Sequence, residues 1–260
     1  MYMLKEKLII SPFNPVFFLV TGFFLLLLSV ISFLVKGKSE KVKKTVFVMI
    51  CLFTCVCFFL YKYALSLDPE FDRLTAYIGG YNWWGELPFH LCNVNMILMP
   101  IAVLGDYRPL KSFCFFIGPL GAAMALLMPG AGFDHAYLFL PRIIGFYGTH
   151  FMIVIEALML MTFGFYQPAY RDIPKAMVIL VLLGLIMHGL NLLFRYSGLN
   201  SRSNFFYTME TEENPILELL YSLIPYPLIY LLPVLPIPAL YMCFIVWLYH
   251  LFMGNKKGSA

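Results

Sequence analysis

The sequence predicts an all-α, polytopic membrane protein, a bundle of seven transmembrane helices, and three observations carry the prediction. Of 260 residues, 61% are hydrophobic and 12% charged, against about 25% charged in soluble domains. Mean hydropathy is +0.82. The apolar residues also fall into runs close to the length of about 20 residues that spans a hydrocarbon core. Together these exclude a soluble protein, a disordered tail and a coiled coil, and the whole chain, 1–260, reads as a single transmembrane domain. The net charge of +4 sits largely in short loops, where it reports topology, so no nucleic-acid partner is expected.

The seven expected spans are 16–35, 45–65, 88–104, 112–127, 143–165, 176–194 and 226–252. The run after Lys5 and Lys7 is of span length and has no small-residue cleavage site, so it reads as a first membrane helix. Sorting basic residues between loops puts Lys36, Lys38, Lys41, Lys43, Lys44, Arg108, Lys111, Arg171, Lys175, Lys256 and Lys257 on one side. The opposite side receives Lys5, Lys7, Arg73, Arg142, Arg195 and Arg202 and most acids, including Asp68, Glu70, Glu86, Asp134, Glu210, Glu212, Glu213 and Glu218. By the positive-inside rule the N-terminus faces outside and the C-terminus the cytoplasm. Ahead of the third span, Trp83 and Trp84 suit an outer aromatic belt, and Pro88 suits the first turn of a helix. From Ile224 to Pro238, Pro225, Pro227, Pro233, Pro236 and Pro238 preclude a straight helix, which leaves either a cavity wall or a kinked packing helix.

Polar side chains inside spans are costly and therefore candidates for function. They are Lys62, His90, Cys92, Asn93, Asn95, His150, Glu156, His188 and Asn191. At 1.5 Å per residue, Cys92 lies about 6 Å below Pro88, His150 about 12 Å below Arg142 and His188 about 10 Å below Arg195, one layer on three helices. Lys62 is expected to snorkel to the headgroups. No metal is expected: no His-x-x-x-His or Cys-x-x-Cys spacing exists, and on a helix His90 and Cys92 point about 200° apart. Any partner of Cys92 must come from another helix, and His150 is the best base. A Cys with a cross-helix His is the minimum for covalent acyl transfer, with Asn93, Asn95 or backbone amides near Pro88 as oxyanion donors. His90, His188, Asn191 and Glu156 complete the supporting set. The other cysteines, Cys51, Cys55, Cys57, Cys114 and Cys243, read as small hydrophobes rather than disulfides. A different reading makes Asn95, Glu156, His188 and the broken last helix the lining of a transporter's polar path. A purely accessory subunit, whose polar groups pair only with one another, is a third.

Several motifs together resemble a known group. Leu87-Pro88-Phe89-His90-Leu91-Cys92, Gly121 to Leu127 with Pro129, Phe146-Tyr147-Gly148-Thr149-His150, and Asn191 with Asn204-Phe205-Phe206-Tyr207 and Pro215 are similar to the YwaF family. This is the bacterial branch of the transmembrane protein 164 group, and the resemblance runs from about residue 80 to 240. It implies a seven-helix bundle in a bacterial plasma membrane. It also implies CoA-independent transfer of acyl chains between phospholipids and lysophospholipids, or acyl hydrolysis, through Cys92 as nucleophile and His150 as base, with no cofactor. Trp83, Trp84, Asn204 and Tyr207 then fall in the headgroup region. The chain departs from the family pattern at Asn204-Phe205, Asn214-Pro215 and Tyr226, which bears on donor or headgroup preference more than on the chemistry. The acyl donor, the acceptor and the oligomeric state are not fixed by these residues.

Overall fold

The computed structural model describes residues 8–76, 79–130, 132–212 and 214–253. Lys5, Lys7, Glu213, Lys256 and Lys257, used above to sort the loops, lie outside the described residues. The chain begins with a two-residue strand, β1 (Ile9–Ile10), paired antiparallel with β2 (Ala136–Tyr137). Three helices precede the motif-rich turn: α1 (Pro15–Val35), α2 (Glu40–Ser66) and short α3 (Pro69–Thr75). Beyond it run α4 (Asn93–Leu104), α5 (Arg108–Leu127), α6 (Pro141–Thr162), α7 (Ile173–Tyr196), the short α8 (Pro215–Leu223) and α9 (Pro236–Met253).

Local chemistry sets many of these starts. Asn14, Asp68 and Asn214 each cap a helix with the side-chain oxygen and are followed by proline, whose missing N–H costs nothing in a first helical turn. Among the described residues, six helical segments are long and apolar enough to cross a membrane, the sixth combining the 3-10 turn Ile229–Val234 with α9. The expected third span is instead the shorter apolar helix α4. It begins at Asn93, not near Pro88, because residues 88–92 form irregular turns that pack Phe89 and His90 on Phe205.

Burial separates a centre from a rim. The spanning windows of α6 and α5 are 67% and 61% buried, whereas that of α1 is 6% buried, so α1 presents most of its surface to lipid. Helix α6 packs on α5, α2, α1 and α4. The tightest crossing lies at Gly145, where a Cβ would stand 2.3 Å from Cβ and Cγ of Tyr61 on α2. On α5, a Cβ at Gly121 would lie 3.2 Å from the Cys92 nitrogen. Small residues here let backbones approach, which is how membrane helices gain packing without a hydrophobic drive between them.

Polar clamps close the two ends of the bundle. At one end Lys111 pairs with Asp106, Arg108 holds Asp172 with Nε 2.9 Å from Oδ1, and Lys43 donates to the Phe163 carbonyl. At the other, Arg142 is buried, donating to Asp68 Oδ2 at 2.6 Å, Glu70 Oε2 at 2.9 Å and the Gly132 carbonyl at 3.1 Å. Burial alone would raise the Asp68 carboxyl, but the Arg142 hydrogen bond and the amides of Phe71 and Glu70 hold it below its ordinary 3.8. A carboxyl lowered on folding contributes stability that is complete above its unfolded value and is lost as pH falls through the folded one. Thermal unfolding should therefore be insensitive to this clamp between about pH 5 and 8 and should weaken below about pH 4. Arg142→Gln should flatten that acid limb, and an acid limb unchanged in Arg142→Gln would remove the clamp from the stability account.

Candidate active site

The unwound turn before α4 and the buried middle of α6 meet at Cys92 and His150. Cys92 is the N-cap residue of α4, and its Sγ lies 3.5 Å from His150 Nε2. His150 Nδ1 lies 2.7 Å from the Phe146 carbonyl one turn earlier. A carbonyl oxygen only accepts, so Nδ1 carries the hydrogen, and in the neutral ring Nε2 presents its lone pair to the thiol. The Phe146 ring lies 4.5 Å from the imidazole and stacks on Phe133 at 4.4 Å. The ring is thus oriented by a fixed hydrogen bond and by packing, the arrangement a base needs.

Around the sulfur the groups are mixed. The Asn93 side-chain oxygen is 3.6 Å from Sγ, a second acceptor for the thiol hydrogen. The backbone N–H groups of Cys92 and Asn93 lie beside the sulfur, at the open end of a helix, where negative charge is favoured. Gly121 leaves the Cys92 backbone uncrowded, so Gly121→Ala should push the cap residue aside. Displacements approaching 1 Å cost up to about a hundred-fold in rate. We expect labelling of Cys92 by a thiol-reactive probe to change about ten- to hundred-fold while thermal stability changes little, measured as labelling rate and melting on one preparation. An unchanged labelling rate would show that the close approach does not position Cys92.

Other polar residues from the sequence occupy separate places. His90 stands edge-on to Phe205 at 5.2 Å and bonds to the Gly85 backbone. Asn95 donates to the Leu91 carbonyl at 2.7 Å, while its oxygen is buried without a protein partner. One of its two side-chain N–H donors is therefore engaged away from the sulfur. Glu156 lies about 9 Å further along α6 than His150, where Thr54 of α2 reaches its Oε1 at 2.5 Å. His188 lies by the Thr208 backbone, and its Nδ1 is buried without a protein partner.

Asn191 and Asn204 build a loop. Asn191 donates to the Phe205 carbonyl and the Thr208 hydroxyl, both at 2.9 Å, and accepts from Phe205 N and Ser203 Oγ, both at 2.8 Å. Asn204 accepts from the amides of Met209 and Glu210 and donates to the Glu210 carbonyl and Glu212 Oε1. Its buried amide is thus spent within its own loop. Tyr207 instead is partly exposed. Burial, with Glu212 and Cys92 nearby, pushes its phenol up to about 12, so at neutral pH it keeps its proton and can donate. Phe206 and Tyr207 both have positive φ, 59° and 56°, a conformation costing about 1–3 kcal/mol per residue and tolerated where the surroundings over-determine it. Asn191 on one side and Tyr230, donating to the Tyr207 carbonyl, on the other do so.

Lys62 is the residue the sequence placed wrongly. It does not snorkel: it is 8% exposed, with Nζ against the Glu86 carboxylate and 4.5 Å from the Tyr61 ring centre. A local reading could not find this, because Glu86 lies 24 positions away in a loop assigned to water. Trp83 and Trp84 are exposed on the same turn. Among the described residues, no three His, Cys, Asp or Glu side chains converge as a metal site.

Two features of this arrangement, the Cys92-bearing turn and the His150-bearing helix, coincide with the motifs that resemble the transmembrane protein 164 group. No curated protein and no solved structure matches the chain. The TMEM164 family model matches residues 9–252, well beyond the motif region and across every described helix from α1 to α8 and nearly all of α9. By that match the chain belongs to the TMEM164 family, as a membrane protein of multiple apolar helices.

Proposed function

We propose that the protein is a membrane-embedded phospholipid acyltransferase that works through a thioester on Cys92. The observation that carries this reading is the 3.5 Å approach of Cys92 Sγ to a His150 whose Nδ1–H is committed to Phe146. In the first half-reaction the thiol proton passes to His150 Nε2 as sulfur attacks the ester carbonyl carbon of a glycerolipid. The tetrahedral oxyanion is received by backbone N–H groups at the start of α4 or by the Tyr207 hydroxyl. Collapse breaks the carbon–oxygen bond, and His150 returns the proton to the leaving glycerol oxygen. In the second half, a lysophospholipid hydroxyl loses its proton to His150 and attacks the thioester, and the departing thiolate recovers that proton. Water in place of the lysolipid gives hydrolysis by the same steps.

The finer topology is part of the proposal. Helix α4 with its preceding turn makes a seventh crossing, the N-terminus faces outside, and the Lys43, Lys111 and Arg108 end faces the cytoplasm. Support comes from β1 lying against β2, near the Arg142 clamp, while His250 stacks on Tyr170 beside the opposite clamp. We place the chain in the YwaF branch and in a bacterial plasma membrane on its resemblance alone. Asn95 and Glu156 are engaged in separate hydrogen bonds, with the Leu91 carbonyl and with Thr54, and His188 lies by Thr208, which favours acyl chemistry over a continuous transport path. The test is transfer of a labelled acyl chain from phospholipid to lysophospholipid in proteoliposomes without CoA. Transfer that needs both Cys92 and His150 supports the reading, and its absence from active-site-intact protein across donor headgroups contradicts it.

A further inference from the structure

A buried lysine needs an anion, and near Cys92 the anion is supplied by a residue that can leave. Lys62 lies on the rigid α2, its ammonium bracketed by the rings of Tyr61 at 4.5 Å and Phe58 at 5.3 Å. Its partner Glu86 sits on the irregular turn before α4, with a side chain 25% exposed against 10% for Lys62. The turn is attached on either side of Glu86. Tyr81 donates to the Lys62 carbonyl at 3.0 Å, and Trp84 stands edge-on to Phe194 at 5.6 Å. Beyond Glu86, Phe89 and His90 pack on Phe205. Tyr61, the residue before Lys62, meets α6 at Gly145, five positions before His150, and Glu86 precedes Cys92 by six positions, so the cation lies beside the elements that carry Cys92 and His150, while its counter-ion is the more exposed of the pair.

We propose that Lys62 is the phosphate-binding residue of the site, exchanging the Glu86 carboxylate for the phosphodiester of a glycerophospholipid and thereby placing that lipid's acyl ester at Cys92. The inference rests on the acyl-transfer reading and deepens it by naming the substrate class. In a glycerophospholipid the phosphate and an acyl ester are joined by a few bonds of glycerol, so a cation beside the nucleophile matches the molecule's own spacing. The exchange is electrostatically neutral for the protein. Removing a buried partner outright would leave an uncompensated charge, but a phosphate restores the charge-assisted hydrogen bond, and Glu86 can turn outward to water. Exposed Trp83 and Trp84 on the same turn are suited to the headgroup layer from which such a lipid enters. A neutral diacylglycerol cannot displace Glu86, so the pair acts as a charge filter in front of Cys92.

The test uses binding to the full chain carrying Cys92→Ser, in which no thioester chemistry intervenes. Affinities are measured for a lysophosphatidylglycerol and a monoacylglycerol of the same acyl chain. The phosphate-bearing lipid is expected to bind about ten- to hundred-fold more tightly, the worth of one hydrogen bond to a charged group. Adding Lys62→Gln together with Glu86→Gln, which leaves no unpaired buried charge, should abolish this preference and spare monoacylglycerol binding. Glu86→Gln alone should tighten lysophosphatidylglycerol. A preference that survives the double change, or equal loss for both lipids, overturns the proposal. So does displacement by inorganic phosphate as effective as by glycerophospholipid, which would assign the site to a free ion. Lys62-dependent binding without any acyl transfer by the unsubstituted protein would contradict the acyltransferase reading alone, and transfer without the preference would contradict only this inference.

Discussion

Cys92→Ser should lower acyl transfer by about a thousand-fold or more, and His150→Ala by about a hundred- to ten-thousand-fold, the usual contribution of a positioned base. Both proteins should fold. Serine preserves the size of the cap residue, and Cys92 makes no side-chain cap bond that α4 depends on. Removing the His150 ring takes away one side chain from the Phe133–Phe146 stack but leaves the Arg142 clamp above it intact. The two losses should not multiply in the double variant, because nucleophile and base serve one step. Multiplicative loss would mean that His150 acts somewhere other than on the Cys92 proton. His150→Gln, which keeps a polar group but no base of suitable strength, should resemble His150→Ala in rate.

Gly145→Ala should be the most damaging single-methyl change to the fold. The added Cβ would stand 2.3 Å from both Cβ and Cγ of Tyr61, atoms at the root of that side chain, so α2 and α6 would have to separate. Overpacking of this kind costs about 1–3 kcal/mol and sometimes more. Because Lys62 follows Tyr61 and His150 lies five positions beyond Gly145, the same separation should spread the site and depress catalysis. Gly148→Ala is the matched control: it is on the same helix, and its Cβ would meet nothing within 4 Å. It should be neutral or stabilising by up to about 1 kcal/mol through helix propensity. Equal melting temperatures for the two variants would contradict the close crossing.

Long apolar runs announce membrane helices without any tertiary information, which is why the expected 16–35 differs from α1, Pro15–Val35, by one residue. Where tertiary contacts set the backbone, that logic failed. The expected helix start at Pro88 is a turn instead, because Phe89 and His90 find partners on Phe205, more than a hundred residues later. Helices α3 and α8 were missed although Asp68-Pro69 and Asn214-Pro215 signal their first turns. A search for span-length apolar windows passes over such short elements. The crossings also had a signal, since Gly118-x-x-x-Ala122 and Gly145-x-x-x-Thr149 are small-residue pairs one turn apart.

At the site, depth arithmetic places Cys92 and His150 in one layer, and the two are in contact. His188 shares that expected layer but lies by the Thr208 backbone, because depth along an axis says nothing about direction around it. The Lys62–Glu86 pair was illegible for a related reason: each residue taken alone has an ordinary reading, one snorkelling and the other solvated. The four hydrogen bonds of Asn204 reach residues 209–212, a loop structure that its motif alone does not announce.

The most direct test of the central claim is intact-mass analysis of the purified, lipid-embedded protein after incubation with a phospholipid of defined acyl composition. The account predicts one acyl adduct, labile to hydroxylamine, mapped to Cys92 and absent from both Cys92→Ser and His150→Ala. An adduct that persists without His150, or that maps to Cys57 or Cys243, would contradict it.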